Sequence, residues 1–205
     1  MRCRKIVAAL GLLLALLASP ALACRLTVLG DSLTSGYGLT EDQAFPAQLQ
    51  RTLGERGTRC EVINAGVAGD TSASGLARLE WALADEPTHL LVELGGNDAL
   101  RALKVEELKD NLNQIVLQAQ ARGVQVMLAG MLAPPNLGRA YGDAFRQVFA
   151  DVAAAQGVPL YPFFLDGVAL DGRLMQPDGI HPNARGVEVI AERIAPFVQA
   201  FLEDD

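Results

Sequence analysis

Five short apolar segments alternate with longer amphipathic stretches along this chain. The segments lie at residues 25–29, 60–63, 89–94, 124–131 and 158–161. Apolar, β-branched runs of this length predict buried strands. The stretches between them are long enough for helices, and strands that alternate with helices form a parallel sheet covered on both faces. We therefore predict an α/β protein built on a parallel sheet.

Five strands fit a three-layer α/β/α sandwich with a flavodoxin-like sheet in the order 2-1-3-4-5. This order places the first strand between the second and the third. The carboxyl ends of these three strands then surround one crevice, which is where open α/β sheets hold their ligands. The chain shows no internal repeat, and its 205 residues suit a single folded domain.

Local signals predict where several helices begin and end. Thr71 or Ser72 can cap a helix that reaches about Asp85. The last helix contains Pro196, which predicts a kink or a break. The first helix can begin anywhere from residue 41 to residue 45, because a Thr-x-x-Gln capping box starts at residue 40 whereas Pro46 belongs in a first helical turn.

The first 23 residues have the pattern of a secretory signal peptide. Three basic residues precede an apolar run at residues 6–17, and a small-residue stretch at 19–23 ends in an Ala-x-Ala-type cleavage site. The alternative is a membrane anchor, but Pro20 interrupts the run below the roughly 20 residues that a spanning helix needs. We expect a signal peptide at 1–23, a domain at 24–205, and a periplasmic or secreted protein.

The formal net charge of the chain is −7. Loss of residues 1–23 makes it more negative, because that segment holds three basic residues and no acidic ones. Such a surface repels phosphate backbones and anionic headgroups. We expect no nucleic-acid partner and no stable membrane insertion.

Two cysteines, Cys24 and Cys60, remain after cleavage, and each begins an apolar segment. If the two segments are neighbouring parallel strands, equal offsets at their starts bring the two Cα atoms within disulfide range. An oxidising compartment would preserve the bond. Two alternatives stay open at this point: Cys24 as a lipoprotein cysteine, and two free thiols.

Each of the first three predicted strands ends in a polar or glycine-rich loop. The first runs into Gly30-Asp31-Ser32, the second into residues 64–71, and the third into residues 93–98. Any one of these loops alone is more typical of an ordinary turn. Three of them at one crevice can direct backbone N–H groups and an amide at one anion. We predict Ser32 as a nucleophile, followed by a loop at 34–39 and not a helix.

The chain has only two histidines, so a mechanism in which histidine is the base must use His89 or His181. His89 opens the third strand, at the end away from the crevice, and we expect it to be a partly exposed structural residue. His181 lies three residues after Asp178 in a short turn closed by Pro182. Asp178 could accept a hydrogen bond from one ring nitrogen and leave the other to take a proton from Ser32. The alternative is an ordinary turn before the last helix.

Four blocks together carry a resemblance to a known family. They are Gly30-Asp31-Ser32-Leu33, Gly69-Asp70, Gly96-Asn97-Asp98 and Asp178-x-x-His181. In this order they resemble the SGNH, or GDSL, hydrolases over essentially all of residues 24–205. Within that family the chain is most similar to bacterial periplasmic thioesterase I/lysophospholipases and arylesterases.

The resemblance implies a role for each matching residue. Ser32 would be the nucleophile, His181 the base and then the acid, and Asp178 the residue that orients the imidazole. The backbone N–H groups of Ser32 and Gly69 and the side-chain amide of Asn97 would form the oxyanion hole. The family uses no metal and no organic cofactor, and we expect none here.

The same resemblance places an acyl site beside the loop that follows residue 98. The apolar residues expected to line it are Leu100, Leu103, Met131, Leu132 and Phe164, although Met131 and Phe164 could equally pack in the core. We expect a monomeric secreted serine hydrolase that cleaves carboxylic esters and thioesters. The expected substrates are lysophospholipids, acyl thioesters and aryl esters. A carbohydrate O-deacetylase with the same triad is the alternative enzyme, and a flavodoxin-like binding module without chemistry is the alternative of another class.

Overall fold

A five-stranded, fully parallel sheet forms the centre of the protein, with its strands in the order β2-β1-β3-β4-β5. The structure is a computed structural model that describes residues 24–204. The strands are β1 (Arg25–Gly30), β2 (Glu61–Gly66), β3 (His89–Glu93), β4 (Gln125–Ala129) and β5 (Leu160–Tyr161). The predicted α/β class and strand order are confirmed. The predicted signal peptide at 1–23 lies outside the described residues.

Eight helices connect and cover these strands within residues 24–204. They are α1 (Ser32–Ser35), α2 (Phe45–Glu55), α3 (Ser72–Ala77), α4 (Leu79–Ala82), α5 (Gly96–Leu100), α6 (Val105–Gln120), α7 (Arg139–Gln156) and α8 (Ala184–Glu203). Helices α2 and α8 pack against each other, and α6 packs against α3 and α7. The apolar core lies between these layers and the sheet. All five residues of β3 are buried, as expected for a central parallel strand.

Two predictions about helices were wrong, one for a local reason and one for a long-range reason. Residues 34 and 35 of the loop predicted at 34–39 belong to the one-turn helix α1, because the Asp31 side chain caps the turn. The helix predicted from Thr71 or Ser72 to Asp85 is divided into α3 and α4 at Arg78, whose side chain is held by two other segments.

The remaining ambiguities at helix ends are also resolved. Both signals for the first helix are used: the capping box begins a 3-10 turn at Glu41–Gln43, and Pro46 lies in the first turn of α2. Helix α8 continues through Pro196 without a break. Ile194 and Val198 are fully buried on either side of it, and their packing offsets the hydrogen bond that proline cannot make.

A disulfide joins Cys24 to Cys60, with Cα atoms 4.7 Å apart. The two cysteines immediately precede β1 and β2, in which Arg25 pairs with Glu61. The bond uses both thiols, so the free-thiol and lipid alternatives for Cys24 do not apply to this structure. Among residues 24–204, no helix is both long and apolar enough to cross a bilayer.

Candidate active site

The carboxyl ends of β1, β2 and β3 meet at one edge of the sheet. Gly30 at the end of β1 pairs with Gly66 of β2 on one side and with Glu93 of β3 on the other. The three loops that follow these strands are therefore neighbours. His89 lies at the opposite end of β3 and is buried, not partly exposed as expected, with its Nδ1 2.8 Å from the Thr88 hydroxyl.

Ser32 is the first residue of α1, directly after β1. The Asp31 carboxylate accepts the Leu33 backbone N–H at 2.9 Å and so caps this single turn. Gly30 has no room for a side chain, because a Cβ atom there would overlap the side chain of Thr34 and lie 2.8 Å from Glu93 Oε2. Close packing beneath the turn thus holds Ser32 at the crevice, where it stays partly exposed.

His181 and Asp178 reach Ser32 from the loop before α8. His181 Nε2 lies 2.9 Å from Ser32 Oγ, and His181 Nδ1 lies 2.6 Å from Asp178 Oδ2. A carboxylate can only accept, so Nδ1 carries the proton and Nε2 accepts from the serine hydroxyl. The structure brings together all three residues predicted as a triad.

The short turn that contains Asp178 also supplies hydrogen bonds to its carboxylate. Its second oxygen, Oδ1, accepts the backbone N–H groups of Ile180 at 2.9 Å and His181 at 3.0 Å. These hydrogen bonds, the His181 side chain first among them, lower the pKa of Asp178 to about 2. Asp178 therefore remains an anion at neutral pH and holds the imidazole in one orientation.

Asn97 lies in α5, after β3, and its amide is held by Asp31. Asn97 Nδ2 donates to Asp31 Oδ2 at 3.0 Å. Because the carboxylate accepts only, the NH₂ end of the amide faces the nucleophile turn, and its second N–H remains available to an oxyanion. Burial raises the pKa of Asp31 to about 6.

Two arginines hold the loop that contains Gly69. Arg101 Nη2 donates to the Gly69 carbonyl at 2.7 Å, and Arg78 Nε lies 2.5 Å from Asp70 Oδ2. Arg78 also donates to the Gly30 carbonyl at 2.9 Å and so ties this loop to β1. Gly69 has a φ of +88°, which glycine adopts without strain.

Glu93 is a functional candidate that the sequence analysis did not single out. It is fully buried below the nucleophile turn, and its Oε2 accepts the Thr34 hydroxyl at 2.9 Å. Burial, and after it the nearby Asp31 carboxylate, raises the pKa of Glu93 well above its ordinary value, because both disfavour the charged form. The sequence feature that could have identified Glu93 is a glutamate at the end of an apolar strand.

A small apolar cavity of about 100 Å³ opens beside Ser32. Its apolar lining is Leu33, Leu100, Met131, Leu132, Leu165 and Ile180. Three of the five side chains predicted to form an acyl site are in this set. Leu103 is not among the lining residues, and Phe164 is buried in the core against Phe45, with ring centroids 4.8 Å apart. Leu33, Leu165 and Ile180 were not predicted to line the cavity; Leu165 and Ile180 directly neighbour the predicted site residues Phe164 and His181.

No group of three or more histidine, cysteine, aspartate or glutamate side chains within residues 24–204 is arranged to hold a metal ion. The arrangement around Ser32 offers a hydroxyl, an oriented imidazole, amide donors and an apolar cavity. These are the parts required for acyl transfer by way of a serine.

Comparison with known proteins places the chain in a family. The model of the GDSL-like Lipase/Acylhydrolase family matches residues 28–189. The esterase TesA of Pseudomonas aeruginosa is 42% identical over 192 residues, which cover 93% of this chain and 96% of that protein. The thioesterase 1/protease 1/lysophospholipase L1 of Escherichia coli K12 is 39% identical over 186 residues, or 90% of this chain and 88% of that one.

A solved structure shares the fold as well. The crystal structure of the psychrotrophic esterase EstA from Pseudoalteromonas sp., inhibited by monoethylphosphonate, superposes with a TM-score of 0.83 at 32% identity. The match covers 88% of this chain and 99% of that one. Its extent, together with the family match and the four blocks gathered around Ser32, shows that this chain belongs to the GDSL-like lipase/acylhydrolase family.

Proposed function

We propose that this protein hydrolyses carboxylic esters and thioesters through an acyl-enzyme on Ser32. The hydrogen-bonded series Ser32–His181–Asp178, with distances of 2.9 Å and 2.6 Å, is the observation that carries the proposal. Membership of an acylhydrolase family supports the same chemistry.

In the acylation step, Ser32 Oγ attacks the carbonyl carbon while its proton passes to His181 Nε2. The negative charge that develops on the carbonyl oxygen is stabilised by the backbone N–H groups of Ser32 and Gly69 and by the Asn97 amide. Collapse of this intermediate breaks the bond to the leaving group, which takes the proton from His181. Water, activated by the same imidazole, then releases the acid and regenerates Ser32.

The apolar cavity supports an acyl chain as the part of the substrate that is recognised. Its volume of about 100 Å³ is far below the roughly 300–1,000 Å³ of pockets that enclose a drug-sized ligand. A longer chain would therefore continue over the exposed side chains of Leu100 and Leu132, which are 50% and 42% accessible. We infer that lysophospholipids, acyl thioesters and aryl esters are the substrate class.

The proposed site of action is the periplasm or the extracellular space, and the proposed state is a monomer. A leader-like sequence at residues 1–23 supports export. The Cys24–Cys60 disulfide supports an oxidising compartment, because such bonds are rare where thiols are kept reduced.

The test is hydrolysis of p-nitrophenyl esters from acetate to palmitate by residues 24–205, beside Ser32→Ala. We expect a maximum at hexanoate or a longer chain and no activity above background in the variant. Activity confined to the acetate ester would favour the O-deacetylase alternative. Equal hydrolysis by the folded wild type and the folded variant would refute the role of Ser32.

A further inference from the structure

Tyr37 is an exposed aromatic residue that lies directly on the imidazole of His181. The two ring centroids are 4.6 Å apart and the ring planes are inclined by 35°. Tyr37 nevertheless remains 54% exposed. One part of its ring therefore packs on the base, while the rest faces solvent beside the reacting atoms.

The backbone of Tyr37 is bonded to both loops of the catalytic site. Its N–H donates to the Ser32 carbonyl at 3.1 Å, and its carbonyl accepts from Gln176 Nε2 at 2.8 Å. The backbone N–H of Gln176 in turn donates to the His181 carbonyl at 2.7 Å. The backbone that carries the Tyr37 ring is thus connected by hydrogen bonds to the loops that carry the nucleophile and the base.

Glycines on both sides of Tyr37 make this arrangement possible. Gly36 and Gly38 have φ angles of +80° and +74°, which are costly for other residues. A Cβ atom on Gly38 would lie 2.5 Å from Gln176 Oε1 and displace the side chain that holds Tyr37. The two glycines therefore allow the chain to turn sharply and present the ring.

Tyr37 is not among the residues that line the apolar cavity. The acyl and leaving groups of an ester extend in different directions from the carbonyl carbon. If the acyl chain enters the cavity, the leaving group extends outside it, and its oxygen must come within reach of His181 Nε2 to take up the proton. Tyr37 covers one face of that imidazole.

We propose that Tyr37 is a specificity-determining residue whose exposed ring contacts the leaving group and favours flat aromatic leaving groups over alkyl ones. This inference rests on the proposed function, because it needs Ser32 and His181 to act as nucleophile and base. During acylation the Ser32 Oγ–acyl bond forms, the bond from the carbonyl carbon to the leaving oxygen breaks, and the serine proton reaches that oxygen through His181. The contact with Tyr37 therefore exists only until the acyl-enzyme has formed.

The experiment compares phenyl hexanoate with ethyl hexanoate, which share one acyl group, in wild type, Tyr37→Leu and Tyr37→Phe. We expect Tyr37→Leu to lower the ratio of kcat/KM for the phenyl ester to that for the ethyl ester about tenfold, as loss of one aromatic contact does. Tyr37→Phe keeps the ring and is expected to keep the wild-type ratio. Phe197→Leu, which removes an exposed aromatic ring on α8, is the matched control and should also keep it.

A second readout separates contact with the leaving group from support of His181. The deacylation rate constant, measured in single turnovers, contains no leaving group, so Tyr37→Leu should lower it far less than the acylation of the phenyl ester. Equal losses for both esters, or an equal loss in deacylation, would overturn the inference and leave Tyr37 as a support for the base. A wild type that hydrolyses neither ester would instead refute the proposed function, and this inference with it.

Discussion

The carboxyl group of Asp31 orders the site but destabilises the fold when it is ionised. It accepts hydrogen bonds from the Leu33 backbone and the Asn97 amide, and it is 1% exposed. Burial raises its pKa from an ordinary 3.8 to about 6. Between about pH 4 and pH 6 the folded state therefore binds more protons than the unfolded state, and the free energy of unfolding falls as the pH rises through this window.

Asp31→Asn should remove that part of the pH dependence. The difference in stability between the variant and wild type should grow in favour of the variant from pH 4 to pH 6, by on the order of 3 kcal/mol, and stay constant above that range. Its kcat should fall roughly tenfold or more, because an amide at position 31 no longer forces the NH₂ end of Asn97 towards it. Urea unfolding at pH 4, 5, 6 and 7.5, with kcat at pH 7.5, measures both effects.

The control for this change is Asp110→Asn, which alters an exposed aspartate on α6. It should follow the wild-type dependence of stability on pH. Parallel stability curves for wild type and Asp31→Asn would contradict the assignment of a raised pKa to Asp31.

The junction between α3 and α4 connects three elements through one arginine. Arg78 contacts Asp70 in the loop after β2 and the carbonyl of Gly30 at the end of β1. The side chains of Arg78 and Asp70 are only 17% and 12% exposed. Removal of the cation would leave a mostly buried carboxylate without its partner.

We expect Arg78→Met to reduce the free energy of unfolding by on the order of 3 kcal/mol. It should also lower kcat, since the Gly69 loop would lose one of its two supports. Asp70→Asn in the same chain should recover part of the stability, because no unpaired charge then remains. Urea unfolding of both single variants and the double variant measures the coupling free energy between Arg78 and Asp70. Strictly additive losses of stability would contradict a coupling between these two side chains.

Helix α8 contains an exposed proline, Pro196, beside the apolar face that the helix buries in the core. Pro196 lacks the N–H that would complete the helical ladder, whereas Ile194 and Val198 hold the two halves of the helix in the core. Pro196→Ala should raise the stability by about 1 kcal/mol or more and leave kcat within about twofold. The measurement is thermal unfolding of the variant beside wild type. A lower midpoint temperature for the variant would show that Pro196 is needed for packing.

At the scale of the whole molecule, the disulfide and the catalytic crevice lie at opposite ends of β1. Cys24 precedes the strand, whereas Ser32 follows it. The bond closes a segment of 36 residues that holds α1, α2 and the Ser32 turn. Its main effect should therefore fall on global stability and not on the chemistry.

A Cys24→Ser, Cys60→Ser double variant should lose on the order of 3 kcal/mol of stability and keep kcat within about twofold at 25 °C. Guanidinium unfolding of wild type with and without dithiothreitol, beside the double variant, measures this loss. Unchanged stability of the double variant, or a large loss of kcat at low denaturant, would contradict the expectation that the disulfide stabilises the fold without affecting catalysis.

The class of fold and the strand order could be predicted because they depend on periodicity. Short apolar runs that alternate with amphipathic stretches leave few topologies open, and a crossover between parallel strands has one hand. Boundaries that depended on a side chain from elsewhere were predicted wrongly. The division at Arg78 follows from contacts with Gly30 and Asp70, which local sequence patterns do not contain.

The amino-acid sequence placed polar loops after each of the first three strands, and the ends of these strands share one edge of the parallel sheet. It also determined the pairing of His181 with Asp178, because both lie in one short turn. Tertiary packing, in contrast, places Leu165 and Ile180 in the lining of the cavity and buries Phe164. It likewise decided that Asp31 holds the amide of Asn97, a residue 66 positions away. The physical reason is that the direction and depth of a side chain are set by long-range packing, and hydrophobic periodicity does not record them.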